Sequence, residues 1–436
     1  MSAGSTIYAL ATPLGKSAVA VIRMSGPQTR EVLTRLGVRG LAPRAATLTA
    51  FRDGAGAVID RGLALWFPAP ASVTGEDCAE LHCHGGAGVR RAMLAALARL
   101  PQCRMAQAGE FTARAFANGK LDLAAVEGLA DLIDAETELQ RAMALRQLGG
   151  ALDAQARAWR AALLDILALV EADHDFSEED DVGLLDKVDV AAMTQRVADH
   201  ITAALEASGR GERIRNGFRV VLAGPPNAGK SSLLNALAKR DVAIVSPHPG
   251  TTRDAVEVAL DLDGALVLLT DTAGLRDSSD PVEREGVERA LHHAQQADLV
   301  LWLSAAHEPP PVSLEARHVL RVASKCDERP LDAADIGLPV SVVTGEGLTA
   351  LIETITREAT EGIAIAAPPL LTQERHIEAA RDALHHLAAL QREGWAASEC
   401  AALHVRLAAD AIGRIAGRIG VEDVLGAIFS RFCIGK

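Results

Sequence analysis

Gly224-Pro225-Pro226-Asn227-Ala228-Gly229-Lys230-Ser231 is the stretch that decides the fold. It fits GxxxxGK[ST], follows the apolar run Val220–Ala223 and precedes the helix-like Ser232–Lys239. A strand, a glycine-rich loop and a helix in that order make a phosphate-binding loop. Glycines let backbone N–H groups face phosphate oxygens, and the helix N-terminus reinforces them. Lys230 is then placed to reach the β- and γ-phosphates and Ser231 to ligate Mg²⁺, with Asn227, Ala228, Gly229 and Ser232 along the nucleotide. Around this loop, short apolar runs at 220–223, 266–269, 299–303, 318–323 and 340–343 alternate with helical segments. That alternation predicts a parallel sheet of βα units.

Downstream motifs specify the nucleotide. Asp271-Thr272-Ala273-Gly274 closes a strand, so Asp271 can hold Mg²⁺ through water and the Gly274 N–H can sense the γ-phosphate. Between the two lies Gly250-Thr251-Thr252-Arg253-Asp254, where a switch loop belongs; one threonine there completes the Mg²⁺ shell in the triphosphate state. In Ser324-Lys325-Cys326-Asp327 the carboxylate of Asp327 can accept both guanine N1–H and the N2 amino group. The G-protein pattern at this place is NKxD, so Ser324 stands for an asparagine and forfeits an amide donor. Weaker guanine binding is expected, with no change to adenine. Ser341-Val342-Val343, before Thr344-Gly345-Glu346-Gly347, occupies the place of a fifth such motif. Leu275 follows Gly274, where Ras-like GTPases carry a glutamine that orients water. Hydrolysis is therefore slow, or the water is oriented from 276–285, with Arg276 and Glu283 within that stretch. By spacing alone Glu283 reads as a solvated helix carboxylate. Asn227 reads equally as an oxygen donor to a monovalent cation and as a turn former.

Outside this region the texture changes. The first 120 residues mix strands (18–23, 63–67) with a helix over 90–100. From Leu121 apolar residues recur every three to four positions to about Ser208, with breaks expected at Gly209-Arg210-Gly211 and Asn216-Gly217. Helical spacing returns after Pro368-Pro369. An α/β domain inserted into a helical one is the simplest arrangement. The 436 residues predict about two to four domains. Lys plus Arg total 44 against 57 Asp plus Glu, a net charge of −13 that disfavours a broad nucleic-acid clamp. Six unevenly spaced cysteines are not a secreted disulfide framework. Cys78, His82, Cys83 and His84 suit no standard zinc spacing. The first ten residues carry no signal-peptide pattern, and no apolar run nears the ~18 residues that span a bilayer. A cytoplasmic protein without a membrane partner is expected.

The motifs at 224–235, 250–254 and 271–276 resemble those of the MnmE (TrmE) tRNA-modification GTPases. So do Thr6–Gly26, Gly109–Leu123 and the terminal Phe432-Cys433-Ile434-Gly435-Lys436. The resemblance implies a fold of α/β plus α in three parts. These are an N-terminal α+β folate-binding and dimerisation domain at 1–120, a discontinuous helical domain at 121–215 and 368–436, and an inserted Ras-like P-loop G domain at 216–367. It implies a homodimer that works with an FAD-containing partner of the MnmG (GidA) type, in a heterotetramer or larger complex. Together they install an aminomethyl or carboxymethylaminomethyl group at C5 of the tRNA wobble uridine. The one-carbon unit comes from a tetrahydrofolate derivative (5,10-methylene or 5-formyl), GTP is hydrolysed, and much of the tRNA contact is left to the partner. The family's folate site maps onto Arg23, Glu80, Lys120 and Lys436. Its K⁺ site maps onto Asn227, Ser246, His248 and Thr251, and its Mg²⁺ site onto Ser231 and Thr252. Its water-orienting carboxylate maps onto Glu283, with Lys230 and Arg276 beside it in catalysis; Cys433, in the tail near the folate site, is a further catalytic candidate as a reactive thiol. The nucleotide motifs alone also fit a regulatory or ribosome-assembly GTPase, and the first 120 residues separate the two readings.

Overall fold

A computed structural model of the chain describes residues 4–175, 187–225, 227–240, 242–244, 257–271, 297–304, 318–328, 337–361, 363, 368–393, 395, 398–417, 422–430 and 432–435. They form two compact units: 1–130, 147–185 and 393–436 make one, 131–146 and 186–392 the other.

The first unit is founded on a six-stranded sheet in the order β3-β4-β5-β2-β1-β6. Its strands are β1 (Thr6–Leu10), β2 (Ser17–Ser25), β3 (Thr47–Arg52), β4 (Val58–Phe67), β5 (Cys78–Gly85) and β6 (Cys103–Met105). Neighbours are antiparallel except β1 and β6. Alternation along the strands sets the two faces. Ala20, Ile22 and Met24 of β2 and Leu81 and Cys83 of β5 point one way. There they are buried with Val32 and Leu33 of α1 (Thr29–Arg35) and Met93 and Leu97 of α2 (Ala87–Ala98). Arg23 and Glu80, register partners on β2 and β5, point the other way. Helix α3 (Glu110–Ala117) follows, entered through Gly109 at φ +68°. A Cβ on Gly109 would lie 2.4 Å from the Phe429 carbonyl oxygen, so the close approach requires glycine.

Helices α4 (Leu123–Asp134), α5 (Glu138–Leu148), α6 (Ala151–Asp175) and α7 (Lys187–Asn216) come next in the chain. The break expected at Gly209–Gly211 does not occur: α7 runs on to Asn216. Gly211 is where a Cβ would sit 3.0 Å from the Leu371 carbonyl oxygen and 3.2 Å from Thr372 Cγ2. The small residue serves close packing there, which offsets its helix cost of about 1 kcal/mol.

The second unit holds another six-stranded sheet, ordered β12-β11-β10-β7-β9-β8. Its elements are β7 (Phe218–Ala223), α8 (Lys230–Ala238), β8 (Glu257–Leu262), β9 (Ala265–Asp271), β10 (Leu299–Ser304), β11 (Val319–Ser324), β12 (Leu338–Val340) and α9 (Leu348–Thr360). All pairs are parallel except β8 with β9. The parallel strands are near-continuous apolar runs, as strands buried on both faces must be. Val220, Leu222, Val267, Leu269, Leu299 and Leu301 share one core with Leu351 and Ile355 of α9. The apolar runs do not predict the antiparallel β8. Asp263 (φ +51°) and Gly264 (φ +83°) make its hairpin turn, the Asp-Gly signal that specifies such a connection. The last expected strand, 340–343, is also shifted. β12 ends at Val340, and the Ser341 hydroxyl accepts the Val343 and Thr344 N–H groups in a turn. Helices α10 (Glu374–Glu393), α11 (Ser398–Ile415) and α12 (Glu422–Ser430) complete the described elements.

Candidate functional site

Strand β7 lies between β10 and β9, so the loop leaving its carboxyl end emerges where the connections diverge to opposite sides. That is the ligand-binding position of an open α/β sheet. Gly224 starts the loop at φ +143°, with its Cα so close to β10 that a Cβ would stand 2.1 Å from the Leu303 carbonyl oxygen. Asn227 (φ +60°) and Gly229 (φ +91°) turn the backbone left-handed, and Gly229 is the residue before α8. Lys230 Nζ donates to the carbonyl oxygens of Gly224 and Pro225, at 2.9 Å each, which folds the ammonium across the mouth of the loop. Ser231 Oγ donates to Asp271 Oδ2 at 2.5 Å. A hydroxyl from the first turn of α8 and a carboxylate from the end of β9, both oxygen donors, suit Mg²⁺. Thr252, the further Mg²⁺ ligand expected from sequence, lies outside the described residues, as do Thr272, Ala273, Gly274, Arg276 and Glu283. So do Ser246, His248 and Thr251; of the K⁺ donors, Asn227 alone is described, and it is exposed.

The base-recognition motifs also come to the carboxyl edge of the sheet. Ser324 is the last residue of β11, Lys325 turns at φ +58°, and Asp327 follows on the turn. The neighbouring β12 delivers Ser341, which is buried, with Val342 and Val343 after it. Ser324 Oγ is buried and has no hydrogen-bond partner among the described residues. Cys326 Sγ lies 3.8 Å from Glu346 Oε2. Burial pushes the Cys326 thiol up, and the Glu346 and Asp327 carboxylates push it further.

In the first unit, Arg23 and Glu80 meet across the strands. Arg23 Nη2 and Nε donate to Glu80 Oε1 at 3.0 and 3.2 Å, and His82 Nε2 stands 3.3 Å from Glu80 Oε2. Lys120 is elsewhere: its Cε is 3.3 Å from where a Cβ on Gly75 would be, in the β4–β5 loop, and it pairs with neither residue among those described. Lys436 lies outside the described residues. The tail just before it is docked on the sheet. Ile434 bridges to Ala108, and Gly435 (φ +110°) would put a Cβ 2.4 Å from the Leu10 carbonyl oxygen. Leu10 is the register partner of Ile22, next to Arg23. Phe432 is buried and Cys433 exposed.

One cluster escaped the sequence reading. Glu110 accepts from Arg104 at 2.6 and 2.9 Å, from Arg114 at 3.0 Å and from the Gln107 N–H at 3.0 Å. Burial would raise its pKa, but these donors outweigh burial and hold it at about 2. Arg114 also binds Glu76 at 2.9 Å, and Glu76 accepts from Ser25 at 2.7 Å. The i, i+4 spacing of Glu110 and Arg114 was a signal; Glu76 and Arg104 come from separate loops and strands.

A family model described as the MnmE helical domain matches residues 123–433, and one described as the GTP-binding protein TrmE N-terminus matches residues 6–120. The chain belongs to the MnmE family. The tRNA modification GTPase MnmE of Rhodopseudomonas palustris (strain ATCC BAA-98 / CGA009) is 48% identical over 436 residues, covering 99% of this chain and 99% of its own. That of Methylobacterium sp. (strain 4-46) is 52% identical over 441 residues, at 99% of each. Among solved structures, the G domain of the T. maritima FeoB iron transporter is 30% identical over 33% of this chain and 98% of its own, with a TM-score of 0.25. As a member of the MnmE family the chain is a tRNA modification GTPase whose second unit carries the nucleotide loop. No helix among the described residues is long and apolar enough to cross a membrane.

Proposed function

We propose that this chain couples GTP hydrolysis to the attachment of an aminomethyl or carboxymethylaminomethyl group at C5 of the wobble uridine, position 34, of tRNA. A flavoprotein of the MnmG (GidA) type is its partner, a tetrahydrofolate derivative supplies the one-carbon unit, and the complex is cytoplasmic. The chain acts as a homodimer divided at 1–120, 121–215, 216–367 and 368–436, with most of the tRNA surface contributed by the partner.

The support for this reading is the full-length match to tRNA modification GTPases, together with a phosphate loop at the sheet's switch point. In the nucleotide complex Lys230 exchanges the Gly224 and Pro225 carbonyls for β- and γ-phosphate oxygens. Ser231 and Asp271, with Thr252, would hold Mg²⁺, which neutralises charge developing on the phosphates. Asp327 accepts from guanine, with Ser324, Lys325 and 341–343 around the base. Leu275 offers no hydrogen bond to water, so Glu283 orients the nucleophile and Arg276 supports it. Asn227, Ser246, His248 and Thr251 would hold K⁺, supplying positive charge where Ras-type enzymes use arginine. In the first unit Glu80 accepts pterin N–H donors while Arg23, Lys120 and Lys436 pair with folate carboxylates. Cys433 stands beside this site.

Nucleoside analysis of tRNA tests the proposal. In a strain lacking the chain's gene, the modified wobble uridine disappears. It returns with the wild-type gene and does not return with an Arg23→Ala, Lys120→Ala copy. Unchanged nucleosides on deletion would refute it.

A further inference from the structure

The first unit contains a cavity of about 290 Å³ between α1, the 38–41 loop and the indole of Trp66. It lies on the opposite side of the sheet from Arg23 and Glu80. Trp66 pairs with Ala79, whereas Leu65 pairs with Glu80, and successive residues on a strand face opposite ways. The cavity is therefore separate from the folate cluster.

Its donors are unspent. The Arg30 guanidinium lies over the Trp66 ring at 5.1 Å and, like that of Arg39, forms no ion pair or hydrogen bond among the described residues. The nearest carboxylate on α1, Glu31, is engaged with Arg35 and Gln102. The Thr34 hydroxyl donates to the Arg30 carbonyl and leaves only its lone pairs for a ligand. Leu33 and Val38 give the floor an apolar surface.

We propose that this cavity binds a small organic phosphate monoester. Two guanidiniums offer about two positive charges, which match the roughly −2 of a phosphate monoester better than the −1 of a carboxylate. Planar guanidiniums bind phosphate through paired N–H groups. The apolar floor takes a short organic body, and the volume, at the low end of the about 300–1,000 Å³ of ligand pockets, limits its size.

Fluorine NMR on the full-length protein labelled with 5-fluorotryptophan tests this. The chain has four tryptophans, and Trp66→Phe identifies the Trp66 signal. GDP and Mg²⁺ are kept saturating so that the phosphate loop is filled. The probes are phenyl phosphate, inorganic phosphate and malonate. Phenyl phosphate should move the Trp66 signal saturably, with Kd of about 1 mM or below. Inorganic phosphate should bind more weakly, and malonate more weakly still. Arg39→Ala and Arg30→Ala should each weaken phenyl phosphate at least about tenfold while the other three signals stay in place. Should Arg30→Ala unfold the unit, Arg39→Ala, on an exposed loop, carries the same test. A Trp66 signal unmoved by every probe, or moved equally in the Arg30→Ala, Arg39→Ala double variant, would overturn the proposal. Inorganic phosphate binding as tightly as phenyl phosphate would overturn the organic body, and malonate doing so would overturn the phosphate.

Discussion

Replacing Glu110 by glutamine asks whether the buried arginine–carboxylate cluster fixes the C-terminal tail to the N-terminal sheet. Glu110 is buried, and its oxygens take bonds from Arg104, Arg114 and the Gln107 N–H. Those bonds outweigh burial and hold the carboxyl at about 2, against an ordinary 4.5. The folded pKa is depressed, so the stabilisation is complete above about pH 4.5 and is lost as pH falls through about 2. At about 1.4 kcal/mol per pH unit, that gap corresponds to about 3 kcal/mol. Glutamine keeps the shape, removes the charge and leaves Arg104 and Arg114 without their shared carboxylate. The expected cost is of the same size, about 3 kcal/mol. Glu110 also grips the backbone at Gln107, one residue before Ala108, which bridges to Ile434. Hydrogen exchange in peptides spanning 104–117 and 428–435 should therefore quicken about 100-fold together at neutral pH. The wild-type protein should show the same joint acceleration between about pH 5 and pH 2, after correction for intrinsic exchange. Acceleration below about threefold, or acceleration at 104–117 with 428–435 unaffected, would refute the reasoning.

Four further outcomes are expected. Gly224→Ala forces a Cβ against the Leu303 carbonyl at a left-handed backbone, a strain of about 1–3 kcal/mol before the collision is counted; GDP affinity, read with a fluorescent analogue, should fall at least about tenfold. Ser324→Asn restores the amide of the NKxD pattern in place of a buried hydroxyl that has no partner among the described residues, and guanine-nucleotide affinity should rise about fivefold by the worth of one hydrogen bond; an unchanged Kd by calorimetry counts against it. Glu283→Ala should lower kcat with nucleotide affinity kept, and wild-type turnover should be faster in KCl than in NaCl at equal ionic strength; equal rates in the two salts remove K⁺ from the site.

The phosphate loop was legible because its chemistry is local: glycines, lysine and serine at fixed spacing between a strand and a helix. The core strands were legible because parallel strands are apolar throughout. What sequence did not reveal was non-local. Gly211 reads as a helix breaker until Leu371 and Thr372 are seen packed against it. β8 is half-exposed and carries charges at Glu257 and Asp261, so no apolar run announced it, although Asp263-Gly264 did. Arg23 and Glu80 are 57 positions apart, and only the antiparallel register of β2 and β5 makes them partners. Lys120, grouped with them by resemblance, makes no direct contact with either among the described residues, and its Cε is 3.3 Å from where a Cβ on Gly75 would be.

The bridge between Ala108 and Ile434 has a consequence for the order in which the molecule is made. The sheet of the first unit is synthesised early, but the segment that lies along it leaves the ribosome only after the whole second unit has been translated. At about 5–20 residues per second that is a wait of roughly 15–60 s. Through that interval Leu10 and Ala108 lack their neighbours Gly435 and Ile434 while the second unit is being made. The nascent chain thus passes through a stage in which its nucleotide-binding half can be finished and its N-terminal half cannot. A chain cut short before Phe432 stays in that stage.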